Sequence, residues 1–343
     1  LKKLCIFTLY DTNGASSYYR MYMFKKEFEH NFEVYWFHFW DNNYVDKFME
    51  NKEKYAILIA LQYFFSCIKR IFQLIFIAPS CDIIIFQKAI IPKFKINIIR
   101  FLKRKGIKII FDVDDAIYLN SKDNSDDIAK LCDVVVVGNE VLKQHYMPYC
   151  NNIKLLPTVD FTPIYKKYYC DTFLNKCIGW IGSQVTIDNL DLLIEPINLF
   201  IEKHPEVNFK FICNEPYGYD KKIKNSKFVK WNRETYIKEM QEFTIGVMPL
   251  KNNEFNSGKC GFKLIQYLNM KKPVVASNVG INKKIVSSNG LIANTKEEWL
   301  EAFENILYDN LKYYNCIRNI EDEFFENYHY KNIANQWLKI LLY

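Results

Sequence analysis

The ten cysteines of this 343-residue chain form no Cys-x-x-Cys pair, and none lies at zinc-ligand spacing from one of the five histidines. The histidines themselves make no His-x₃₋₅-His, so a structural metal is not expected. Several cysteines lie inside apolar runs such as KCIGWIG (176–182). They read as buried free thiols of a protein kept in a reducing cytosol. No basic block and no aromatic-rich RNA motif accompanies the formal charge of +7. That argues against a nucleic-acid partner and suits a phosphate-bearing ligand or an anionic membrane surface. No signal-peptide pattern opens the chain, where LKKLCIFTLY reads as a first strand. Internal repeats and low-complexity tracts are also missing. The most apolar stretch, Tyr55–Ile77, is interrupted by Lys69 and Arg70, and its uncharged part is too short to span a bilayer comfortably. A core helix is the expectation there. The alternative is a helix lying on a membrane, with Lys69 and Arg70 near lipid headgroups.

What is present suits a folded protein of about two domains: 50% hydrophobic and 25% charged residues. Short apolar, β-branched runs predict strands at 4–9, 33–38, 83–86, 107–111 and 134–137, separated by helical segments. This alternation is the signature of a parallel sheet covered on both faces. It lapses in LLPTVDFTPIYKKYYC (155–170), which reads as a linker. It then resumes, with strands expected at 177–181, 209–213, 228–231, 245–248, 274–277 and 291–293. A helix follows the first of these, and Pro196 should kink it. The fold class is therefore α/β: two Rossmann-like, doubly wound domains facing a cleft. We expect an N-terminal domain over 1–162, a C-terminal domain over 163–328, and a helix over 329–343 packing back on the first.

One segment carries most of the chemistry. NNEFNSGKCGFKLIQYLNMKKPVVASNVG (252–280) reads as loop, helix, buried strand and glycine turn. Lys259 and Lys263 lie at the helix start, where cations are unfavourable by about 0.3–1 kcal/mol each. A bound pyrophosphate reverses that sign, because a helix N-terminus binds anions. Gly258 and Gly261 allow a ligand to approach the backbone. The competing reading is two lysines pointing into water.

These residues resemble a family. GVMPL (246–250), GKCGFKLIQYLNMKKPVVASNVG (258–280) and SSNGLIANTKEEWLEAF (287–303) look like the donor-site segment of family 4 (group 1) glycosyltransferases, which have the GT-B fold. IGWIGSQVTIDNLDLL (178–193) resembles their opening strand, glycine loop and helix; LLPTVDF (155–161) resembles the end of their first domain, and YDTNGASSYYR (10–20) their first loop. The resemblance implies retaining transfer of a sugar from a nucleoside-diphosphate (UDP or GDP) donor, with no metal or other cofactor. The acceptor it implies is a saccharide or lipid-linked molecule of bacterial envelope polysaccharide synthesis. The site of action would be cytoplasmic, on the inner membrane face, with peripheral contact to anionic lipid.

The chain also departs from the family pattern. The family's Glu-x₇-Glu falls on Gly258 and Gln266, so both carboxylates are missing. Gln266 can still accept a ribose hydroxyl through its amide oxygen, and Glu254 or backbone N–H groups would replace the first glutamate. The basic pair expected after the glycine loop is absent from GSQVTIDN (182–189). Lys259 and Lys263 would then neutralise the diphosphate leaving group. Gly182 and Ser183 would line the phosphate side, and Trp231 the base, unless it is core packing. Glu215 is a further rim candidate.

In the first domain, IIFDVDDAIYL (109–119) gathers Asp112, Asp114 and Asp115 at a strand end. An Asp-x-Asp metal motif is one reading. By position in the resemblance, Asp114, with Asp115, would bond sugar or acceptor hydroxyls; a helix-cap or turn role is the alternative. Gly14 suits a tight turn beside an acceptor, and Arg20 an acceptor phosphate or a surface salt bridge. Two other functions fit a chain lacking Glu-x₇-Glu: a non-catalytic nucleotide-sugar-binding scaffold, or a GT-B epimerase acting on the nucleotide sugar alone.

Overall fold

The computed structural model describes residues 1–49, 51–95, 97–120 and 122–343. Within these, the chain forms two compact units: Leu1–Thr158 with Ile333–Tyr343, and Val159–Asn332. Each is built on a six-stranded sheet whose neighbouring strands all run parallel.

In the first unit the strands are β1 (Lys3–Tyr10), β2 (Glu33–Trp40), β3 (Ile83–Gln87), β4 (Lys108–Val113), β5 (Val134–Val137) and β6 (Ile153–Leu155), in the order β2-β1-β3-β4-β5-β6. Helices on both faces make the central strands continuous buried runs, fully buried in β3 and β5. The sixth strand was not expected. It is a three-residue edge strand with no fully buried residue, too short to give a period. The order reverses between β1 and β3, so their carboxyl ends, Tyr10 and Gln87, open one crevice in this unit.

In the second unit β7 (Cys177–Ile181), β8 (Asn208–Cys213), β9 (Ser226–Lys230), β10 (Ile245–Met248), β11 (Val274–Ala276) and β12 (Gly290–Ile292) take the order β12-β11-β10-β7-β8-β9. This is the doubly wound order whose switch point lies between the first and fourth strands, β7 and β10. Its core is one cluster running from Ile178 and Trp180 through Phe209 and Phe211 to Trp299 and Phe303.

Two expectations fail. Pro196 does not kink a helix interior: a 3₁₀ stretch (Ile187–Leu193) precedes an α-helix that begins only at Ile194. Proline in a first turn lacks an N–H that would be unpaired anyway. The segment from Ala56 to Ser80 is a helix, but it is no core helix, for most of its apolar side chains are exposed. All ten cysteines are free thiols, seven of them buried.

Candidate active site

The second unit brings its site together at the β7/β10 switch point. The chain leaves β7 through Gly182 and Ser183, and a Cβ at Gly182 would overlap the Trp180 ring and come within 2.9 Å of the Lys263 Cε. Glycine therefore lets the Lys263 stem cross the loop. Beyond it, the Lys263 ammonium lies 3.2 Å from the Thr186 hydroxyl and 5.6 Å from the Trp180 ring centre. The Ser183 N–H donates to the Thr186 hydroxyl, which donates to the Ser183 carbonyl. Thr186 thus ties the loop to the lysine. Lys263 is half-buried, and desolvation, then the charge of Lys259, pushes its pKa down to about 7.

Lys263 belongs to the helix Phe262–Asn269, whose N-cap is Gly261 in the left-handed region (φ +66°) with no capping side chain. The first bond into the helix is the Ile265 N–H to the Gly261 carbonyl, so the first-turn amides precede any intrahelical acceptor. Lys259, half-buried, lies with its ammonium 4.1 Å from the Phe255 ring centre. Upstream, Asn253 caps the short helix Glu254–Ser257. The Asn256 amide bonds Asn189 and the Lys251 carbonyl, fastening this loop to the 186–189 segment. Gly280 takes φ +56° against the Ser257 carbonyl, where a Cβ would collide with that backbone. Gly182, Ser183, Gly258, Lys259, Gly261 and Lys263 therefore line one locus. Glu254 is exposed at its margin.

Gln266 is placed differently. It is buried, and its amide N–H donates to the Asp160 carboxylate at 3.2 Å. Asp160 also accepts from the Tyr165 and Tyr236 hydroxyls and the Phe161 N–H. Burial nonetheless raises its pKa. The sequence does not single out Asp160, although it lies in the LLPTVDF segment; nor does it single out Thr186. Trp231, just past β9, is exposed rather than core-packed and stacks on Tyr236 at 6.0 Å. Glu215 is exposed and near Lys230.

In the first unit the three aspartates are divided between two cations. Asp112 is buried and paired with Arg20 through one guanidinium edge, the Nε and Nη2 N–H groups. Arg20 also donates to the Leu156 carbonyl and the Thr158 hydroxyl, and lies 5.6 Å from the Trp337 ring centre. It makes a buried ion pair, not a surface one, and is 1% exposed. Asp114 and Asp115 share Lys88, at 3.0 and 2.6 Å from its ammonium. A metal ion there would have to displace Lys88. Burial pulls the Lys88 ammonium down, but the two carboxylates more than offset this and hold it above its ordinary range. Burial raises Asp114 to about 6, against the opposing pull of Lys88. Lys88 follows β3 and Asp114 follows β4, so register alone brings them together. Gly14 is the N-cap of the first helix, and a Cβ on it would overlap Tyr10.

Residues 175–309 match the family model described as glycosyl transferases, group 1. No curated protein matches the sequence. Among solved structures, a point mutant of S. aureus TarM, in complex with fondaparinux, alpha-GlcNAc-glycerol and UDP, is similar at 16% identity and TM-score 0.56, over 76% of this chain. The chain spans about half of that protein's length, 55%. Anabaena Alr3699/HepE with UDP-glucose gives 11% identity and TM-score 0.68, over 99% of both chains. The E. coli structure described as trehalose-6-phosphate, bound with UDP-2-fluoro glucose, gives 11% and 0.69, over 99% of this chain and 98% of the other. At such identities the structures speak for the fold, and the family match for the second unit. Residues 175–309 match a group 1 glycosyltransferase domain, and the chain as a whole has the GT-B fold of these structures.

Proposed function

We propose that the protein transfers a sugar from a UDP-sugar to a saccharide or lipid-linked acceptor, with retention and without a metal. The second unit holds the donor and the first the acceptor. The observation that carries this reading is Lys263: a half-buried, partly desolvated lysine folded over Gly182 at the switch point, beside Lys259 and a helix N-terminus with no capping side chain. Such a lysine is destabilised until an anion arrives, and a diphosphate fits the surrounding donors. The UDP species in the similar structures support uridine as the nucleoside.

In the step, the acceptor oxygen bonds the anomeric carbon from the face the phosphate leaves. The carbon–oxygen bond to the diphosphate breaks, its electron pair stays on phosphate, and that oxygen takes the acceptor proton. Lys259 and Lys263 neutralise the charge that develops on the leaving group. The Asp114–Lys88–Asp115 cluster orients acceptor or sugar hydroxyls. Product synthesis belongs to an envelope polysaccharide and takes place at the cytoplasmic membrane face, where the enzyme binds peripherally.

The test is transfer from radiolabelled UDP-sugars to a membrane lipid extract. Lys263→Ala is expected to lower kcat about 10²–10³-fold, the usual effect of removing one charge-stabilising donor. Absence of UDP binding and of both transfer and hydrolysis overturns the reading.

A further inference from the structure

The helix Ala56–Phe72 runs on through a π turn, Gln73–Ile77, to Ser80. Ile57, Leu61, Phe64, Phe65, Ile68 and Phe72 recur at the spacing of one helical face, and each is half or more exposed, Ile57 at 78%. Phe76 extends the stripe, 67% exposed. The opposite face is the polar one. Arg70 is fully buried and donates to the carbonyls of Thr8, Phe37 and Ile90. Tyr63 donates to the Pro92 carbonyl at 2.6 Å, and Gln73 is buried. A surface helix of a water-soluble protein turns its apolar stripe inward; this one turns it outward.

Arg70 also decides against a membrane span. Crossing a bilayer would strip it of three carbonyl partners and leave a charge in hydrocarbon. Held by Arg70 and Tyr63, the helix can only lie along a surface. The Tyr63–Pro92 bond brings the 90–95 loop beside it. That loop presents Phe94, 54% exposed, between Lys93 and Lys95; Lys95 is ion-paired with Asp127. Lys69 is exposed on the helix itself, and Lys52 and Lys54, with Glu53 between them, precede it. From Tyr55 to Lys95 the sequence holds one acidic residue, Asp82. An apolar stripe rimmed by cations complements anionic headgroups, whereas a second copy of this face would meet it with like charge.

We propose that the helix from Ala56 to Ser80, with Phe94, seats the first unit on an anionic bilayer, its apolar face in the boundary between headgroups and acyl chains. This gives residues to the membrane contact of the proposed function and rests on that reading for nothing else. The test is co-sedimentation of the full chain with phosphatidylcholine vesicles, with and without phosphatidylglycerol. Binding to the phosphatidylglycerol vesicles is expected, with Phe64→Ser/Phe65→Ser/Phe76→Ser lowering it tenfold or more. Lys69→Gln/Lys93→Gln should lower it about fivefold per lysine on anionic vesicles, the usual increment for a lysine near such a surface. No sedimentation, or equal sedimentation of the triple variant, overturns the proposal. So does a dimer in sedimentation velocity that the triple variant converts to monomer. UDP binding by calorimetry is expected to be unchanged in these variants, so failure of the membrane contact is separable from failure of the donor site.

Discussion

In the proposed function, Lys263 is the residue whose state the ligand sets. Its pKa of about 7, against an ordinary 10.5, means the free folded protein holds it largely neutral above pH 7. A diphosphate beside it restores the charged form, so binding takes up a proton. UDP affinity is therefore expected to fall as pH rises from 7 to 9, by up to tenfold per unit. Calorimetry in two buffers of different ionisation enthalpy should record the uptake at pH 8, and Lys263→Met should abolish both effects. The unliganded protein behaves in the opposite sense. Between pH 7 and 10.5 the unfolded chain binds the extra proton, so this lysine's contribution to stability rises with pH through that window. Gln266 poses a second question at this scale. Its N–H serves the buried Asp160, so a glutamate at this position would set two carboxylates against each other. Gln266→Glu is expected to cost about 1–3 kcal/mol in urea unfolding at pH 8 and less toward acid pH, because burial raises the pKa of Asp160.

At the scale of elements, the proposed donor site is the start of one helix, and Gly261 sets how that helix begins. At φ +66°, with Ile285 filling the space a Cβ would need, Gly261→Ala should destabilise by about 1–2 kcal/mol. It should also weaken UDP binding, because the first-turn amides swing with the cap. Urea titration with and without UDP separates the two losses. This element was legible in advance: glycines, lysines and the following strand all lie within thirty residues, and local pattern reports local structure. The partners were not. Thr186 meets Lys263 across 77 residues, Asp160 meets Gln266 across 106, and Lys88 meets Asp114 only because β3 and β4 pair in register. The 56–80 helix misleads for another reason. Apolar period shows which residues share a face, and it says nothing of whether that face turns to protein or to solvent.

At the scale of the molecule, the chain leaves the first unit at Thr158, builds the second, and returns at Ile333. The eleven residues that return are held by Trp337, fully buried, in edge contact with Phe28 and beside Arg20. Two units with separate cores are expected to give two unfolding transitions. UDP should raise only the one belonging to Val159–Asn332, since a ligand stabilises what it binds. Trp337→Ala removes a large buried side chain and should lower the other transition by about 3–5 kcal/mol. Trp337→Phe should cost less. The indole N–H has no hydrogen-bond partner among the described residues, and deleting an unpaired buried donor recovers part of what the smaller ring loses. Denaturation followed with and without UDP is the measurement. If Trp337→Ala lowers the UDP-shifted transition by as much as the other, the units do not unfold independently, and the C-terminal helix stabilises the whole chain rather than the first sheet alone.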